Sequence, residues 1–249
     1  MSDTLHAWGR KIKDLEFLDH VFVTDYPSLD SAPSDGKFWY CWGKHYTDSR
    51  TELFNAKADI DLANKIMPAN EMAYSGEPDG KPAINMGAIV YYGLDGTCHQ
   101  TANEVLAVTG TSSAEPSRVK SCHGYPITTY FYGTYGTNTS DWDAIVSAHL
   151  SGKTLAGDDF LPLLAEHVPD DKQSKVKEMR ATAQANLKAI RAKVVASQYN
   201  YYPEMQLANA EALAELHEYL GADTFKKLFP SLDFENTVWD ALDWLSPPR

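Results

Sequence analysis

The chain has 249 residues, 43% of them hydrophobic, with a formal net charge of −12 and a pI near 5.0. That apolar content excludes a disordered chain and suffices for one large domain, or for a domain with a helical appendage. The negative field works against a nucleic-acid partner, and the three cysteines exclude a disulfide-stapled scaffold.

Residues 1–17 hold no apolar core of signal-peptide length, and no later window approaches a membrane span, so a soluble, cytoplasmic chain with reduced thiols is expected. Residues 19–24 read as a strand, with His20 at its start and Val21, Phe22 and Val23 after it. A loop of Pro, Ser and Asp follows over 27–36. The aromatic run 37–46, KFWYCWGKHY, reads as the second strand of a hairpin-like pair. Over 48–67 the apolar Leu53, Phe54, Ala56, Ala58, Ile60, Leu62, Ala63 and Ile66 suggest an amphipathic helix that stops at Pro68.

The stretch 88–110, AIVYYGLDGTCHQTANEVLAVTG, organises the rest. Residues 88–92 read as a buried strand, and Gly93, Asp95 and Gly96 as a turn. Thr97 then caps a helix over 98–108, which Gly110 stops. Beyond it, 118–122 and the Tyr- and Thr-rich 127–135 read as strands. A helix is expected over 142–150, and from 158 onward the pattern is helical, with helices over 172–198, 204–219 and 222–229. The apolar tail, with Val238, Trp239, Leu242, Trp244 and Leu245, is expected to dock on the body. The expected fold is α+β over residues 1–140, followed by a helical extension over 141–249 packed on it.

A thiol at position 98 would sit among unpaired N–H groups at the positive end of a helix, which favours the thiolate. Its neighbours His99, Gln100 and Asn103 are polar, and the flanking glycines open the turn to a substrate. A thiolate nucleophile needs a base. Of eight histidines, His6, His149, His167 and His217 fall on the N-terminal tail or on helical segments. His99 follows Cys98 directly on a helix and points about 100° away from it. His20 and His123, both at strand edges, remain as candidates. Three Cys/His pairs, Cys41 with His45, Cys98 with His99 and Cys122 with His123, raise zinc as a rival, but no C-x-x-C or H-E-x-x-H spacing occurs and no metal or other cofactor is expected. The SGKT at 151–154 lacks the first glycine of a phosphate loop.

The order of these parts, His20 in DHVFV, then FWYCWGKHY, then Cys98 in DGTCHQTANEVL, resembles the circularly permuted papain-like thiol hydrolases. That superfamily includes lecithin:retinol acyltransferase and relatives of NlpC-type peptidoglycan peptidases. The resemblance covers roughly residues 15–110. It implies a papain-like core with a mixed or antiparallel sheet packed on the Cys98 helix, and a base on the first strand, His20, oriented from the second, where Cys41, Lys44 and His45 stand. In the unpermuted arrangement His123 fills that role, with Asn138 or Asp141 as third member.

The expected function is a cysteine-dependent hydrolase or acyltransferase acting on an amide or thioester of a small molecule or peptide. First-turn N–H groups and Gln100 would hold the oxyanion, and Trp42 and Asn103 would contact substrate. The alternative is a non-enzymatic interaction protein with an aromatic recognition surface, in which Cys98 packs.

Overall fold

The computed structural model describes residues 3–12, 15–28, 35–40, 46–67, 69, 88–110, 115–138, 142, 144, 155 and 157–232. Among them the fold is α+β. Strands β1 (Thr4–Ile12), β2 (Leu15–Thr24), β3 (Phe38–Tyr40) and β4 (Tyr46–Lys57) form an antiparallel sheet in the order β3-β2-β1-β4. Seven α-helices lie among the described residues: α1 (Ile60–Ile66), α2 (Cys98–Leu106), α3 (Tyr125–Tyr132), α4 (Phe160–His167), α5 (Asp170–Ser197), α6 (Tyr202–Leu220) and α7 (Ala222–Leu228).

The register sets what each sheet face carries. Ala7 pairs with Val23 and Val23 with Trp39, so these residues share one face with Leu5 and Val21 and pack on Ala102, Val105 and Leu106 of α2. Strand alternation turns the intervening residues the other way. On that second face Phe22 stacks between Trp8 and His20, at ring-centroid distances of 6.5 and 6.0 Å. Trp8 Nε1 donates to Thr24 Oγ1 at 2.8 Å, which satisfies the buried indole.

A second core lies among the helices. Tyr130 and Phe131 of α3, Phe160 and Leu164 of α4, Val176, Leu187 and Ile190 of α5, Leu213 and Leu216 of α6 and Phe225 of α7 are all buried there. Ile12, Leu18 and Leu94 join this core from the N-terminal part of the chain. On α5 the buried positions 176, 180, 183, 187, 190 and 194 step by four and three, an amphipathic stripe that Arg180 interrupts. Each fully buried Leu on such a stripe contributes about 1.5–3 kcal/mol.

Several expected elements differ. The segment read as a helix over 48–67 is β4 followed by the short α1. Ala7 pairs with Phe54 and Trp8 with Glu52, which leaves Leu53 as the extra residue of a bulge seated over Gly9. That offset gives the strand its misleading helical spacing. Strand β1 was not expected at all.

Residues 88–92 form no strand; the described backbone there makes an isolated bridge from Tyr92 to Gly96. The expected strand over 127–135 is α3 through Tyr132. Gly124 and Gly133, with φ of 80° and 71°, bracket it, Pro126 opens its first turn, and the hydroxyl of Thr129 donates back to the Tyr125 carbonyl at 3.0 Å. Residues 118–122 form no strand either. The expected helix over 142–150, apart from residues 142 and 144, and the apolar tail lie outside the described residues.

Candidate active site

Cys98 is the first residue of α2, and no acidic side chain lies in that first turn. Gln100 Oε1 accepts from the backbone N–H and the hydroxyl of Thr97, at 3.0 and 2.9 Å, which secures the helix start. All nine residues of α2 are buried, and Cys98 is 0% exposed.

The element that α2 meets is β2, at Asp19. The Asp19 carbonyl oxygen lies 3.9 Å from Cys98 Sγ and 3.0 Å from His99 Nε2. The Asp19 carboxylate accepts the backbone N–H of His123 at 2.8 Å and stands 3.6 Å from His123 Nδ1. The Asp19 N–H donates to the His123 carbonyl at 3.2 Å. Residues far apart in the chain, 98–99 and 123, thus converge on one residue of β2.

His99 is held at both ring nitrogens. Its Nδ1 lies 2.9 Å from Thr128 Oγ1, so the ring ties α2 to β2 and to α3. Nε2–H donating to the Asp19 carbonyl and Nδ1 accepting from the Thr128 hydroxyl satisfy both contacts together. His123 differs, because its side chain is 54% exposed while that of Asp19 is 13% exposed. An accessible imidazole backed by a nearly buried carboxylate can take and release a proton.

His20 follows Asp19 directly, but its ring stacks on Phe22, on the face turned away from Val21 and Val23. Cys122 is buried, and its thiol donates to the Val119 carbonyl at 2.8 Å. Burial pushes that thiol well above its ordinary value, and the nearby Cys98 and Asp19 add to the shift. Cys122 is therefore a poor nucleophile.

Two of the residues expected to contact substrate, Gln100 and Asn103, are hydrogen-bonded within the fold. Gln100 Nε2 donates to the Gly133 carbonyl at 3.0 Å, in addition to the Oε1 contacts at the cap. Asn103 Nδ2 donates to Tyr125 Oη and to the Thr134 carbonyl, both at 2.9 Å, while its Oδ1 accepts from the Val119 N–H at 3.0 Å. Contacts from these two amides to a substrate, as expected from the sequence, would compete with these bonds. Tyr125 Oη in turn donates to the buried Asp159 at 2.7 Å, whose carboxylate also meets Arg118 and Lys120 at 2.8 and 2.9 Å. Burial, followed by the Asp159 charge, raises the Tyr125 phenol, which keeps it a donor.

Of the remaining candidates, Asn138 Nδ2 donates to the Ala88 carbonyl at 3.4 Å. Trp42, Cys41, Lys44, His45 and Asp141 lie outside the described residues. Among the described residues no group of three or more His, Cys, Asp or Glu is arranged to hold a metal ion, and no helix is long and apolar enough to cross a membrane. Comparison of the chain with protein-family models, with curated proteins and with solved structures found no match.

Asp19 is the site residue that sequence reasoning missed. Its signal was the pair Asp19-His20 itself: neighbours on a strand face opposite ways, so a ring on one face places the carboxylate on the other.

Proposed function

We propose that this chain is a cysteine-dependent hydrolase or acyltransferase of amides or thioesters, with Cys98 as nucleophile, His123 as its base and Asp19 as the residue that orients His123. The observation that carries the reading is the convergence on Asp19: the thiol approaches its carbonyl, the His123 N–H donates to its carboxylate, and its own N–H donates to the His123 carbonyl. An antiparallel sheet packed on a helix that begins at a cysteine is also what a papain-like core requires.

In this reading His123 removes the thiol proton as Cys98 Sγ attacks the carbonyl carbon, and returns it to the departing amine or thiol. Water or an acceptor amine then attacks the acyl-enzyme by the same route in reverse. Backbone N–H groups at the start of α2 stabilise the oxyanion. Substrates are small acylated amines, thioesters or peptides, and a reduced nucleophile suits the cytoplasm.

The complete burial of Cys98 favours a second reading, in which the thiol packs and the chain is an interaction protein. Turnover of a panel of peptide amides and acyl thioesters separates the two. Cys98→Ala is expected to abolish turnover, and His123→Ala to lower it by about 10³-fold or more, as when one member of a catalytic unit is removed. A larger loss in His20→Ala than in His123→Ala would move the base to His20, the arrangement the family resemblance implies. Full activity in Cys98→Ala would leave the interaction reading.

A further inference from the structure

The segment that feeds Cys98 into α2 is the turn at 91–96, and the helical half of the chain grips it. Within the turn, the N–H groups of Leu94 and Asp95 donate to the Tyr91 carbonyl at 3.0 and 2.9 Å, and Tyr91 N–H donates to Asp95 Oδ2 at 2.9 Å. From outside, Tyr201 Oη donates to the Tyr92 carbonyl at 3.0 Å, and Tyr132 Oη to that of Gly93 at 2.8 Å. The Thr137 hydroxyl donates to the Leu94 carbonyl at 3.0 Å, and the Thr137 N–H to that of Asp95 at 2.8 Å. Four consecutive carbonyls are thus each bonded from elsewhere in the chain.

The charged member of this grip is Arg191 of α5. Its Nε donates to Asp95 Oδ1, and its guanidinium lies 5.4 Å from the centre of the Tyr91 ring. Asp95 is fully buried, whereas the Arg191 side chain is 27% exposed. We infer that Arg191 is a positioning residue for the Cys98 thiol: from α5 it holds the buried carboxylate of Asp95, and through it the turn that sets where α2 begins. The inference rests on Cys98 being the reactive thiol of the proposed function.

The groups facing Asp95 are Arg191 from α5, Tyr201 ahead of α6 and Tyr91 in the turn, with Tyr132 of α3 beside Tyr201. Burial raises both Tyr132 and Tyr201, so neither titrates near neutrality. Burial also raises Asp95, and Arg191 opposes that rise. Without the guanidinium, Asp95 takes up a proton at higher pH, and the turn loses its charged anchor there.

The test is the pH dependence of Cys98 alkylation by iodoacetamide in the native full chain, with the labelled site identified by peptide mass. Arg191→Met is expected to add a second inflection, below which labelling falls about tenfold. Arg191→Lys, and Arg191→Met combined with Asp95→Asn, are expected to lack it. A merely structural Arg191 would lower stability and leave a single inflection. That outcome, or a second inflection that survives Asp95→Asn, overturns the inference. Should Arg191→Met not fold, Asp95→Asn alone serves: labelling about tenfold slower at every pH supports the inference, and the native rate overturns it. A native chain whose Cys98 does not label overturns both this inference and the proposed function. Turnover retained in Cys98→Ala, with the inflections as expected, overturns the proposed function alone.

Discussion

His99 reaches across from α2 to β2 and places Nε2 3.0 Å from the backbone carbonyl of Asp19, the same oxygen that lies 3.9 Å from Cys98 Sγ. Its other nitrogen is 2.9 Å from Thr128 Oγ1 on α3. One buried imidazole therefore joins three elements around the candidate nucleophile.

His99→Ala removes both bonds and opens space in a packed interior. The expected cost is about 2–4 kcal/mol, from two buried partners left unsatisfied and the missing ring. Urea denaturation measures it. A loss below about 1 kcal/mol would mean that the tie is not structural.

Asn103 should behave the same way, although its type and position suggested a contact to substrate. Asn103→Leu leaves the Val119 N–H and the Thr134 carbonyl without their buried partners, at an expected cost of about 2–4 kcal/mol. If the variant keeps native stability and shows only a raised KM, Asn103 belongs to the substrate site after all.

Arg180 stands in the apolar stripe of α5, where a charge must be paired. Its guanidinium donates to the carbonyls of Thr129 and Tyr130 at 2.7 and 2.8 Å, near the C-terminal end of α3, and to Asp158. It also lies 4.7 Å from the centre of the Phe160 ring. Arg180→Met keeps the apolar stem but strips the end of α3 of its donors, and is expected to lower stability by about 2–4 kcal/mol. Arg180→Lys should recover only part of this, since one ammonium cannot span carbonyls and carboxylate together. Equal stability of the Lys variant and the native chain, read from denaturation midpoints, would contradict the fork geometry.

Asp95 gives stability a pH dependence opposite in sign to that of an ordinary surface carboxylate. Burial raises its native value above 3.8, so the folded chain holds this proton more tightly than the unfolded one. Its contribution is therefore most favourable below the unfolded value and declines as pH rises through the native one. The unfolding free energy of the native chain minus that of Asp95→Asn is expected to fall as pH climbs from about 3.8. Denaturation curves at a series of pH values give that difference directly. A rise instead would mean that the Arg191 pair outweighs burial.

The elements legible in the sequence are those whose signals are local. Thr97 before Cys98, the stepped apolar positions of α5 and α6 and the stop at Gly221 mark helices that form through bonds and side-chain neighbours a turn apart, and the structure has them within a few residues. The cysteine at a helix start was legible for the same reason. What tertiary structure decided was pairing and packing across long separations. The segment at 46–57 becomes a strand because β1 lies beside it, with Leu53 bulged over Gly9, a partner its own pattern does not announce. Residues 125–132 are rich in Tyr and Thr, yet coil into a helix that two cores enclose and two glycines end. The site followed the second rule. Asp19, His99, Cys98 and His123 meet because β2 presents the backbone groups of Asp19 to α2 and to the His123 segment, which satisfy them.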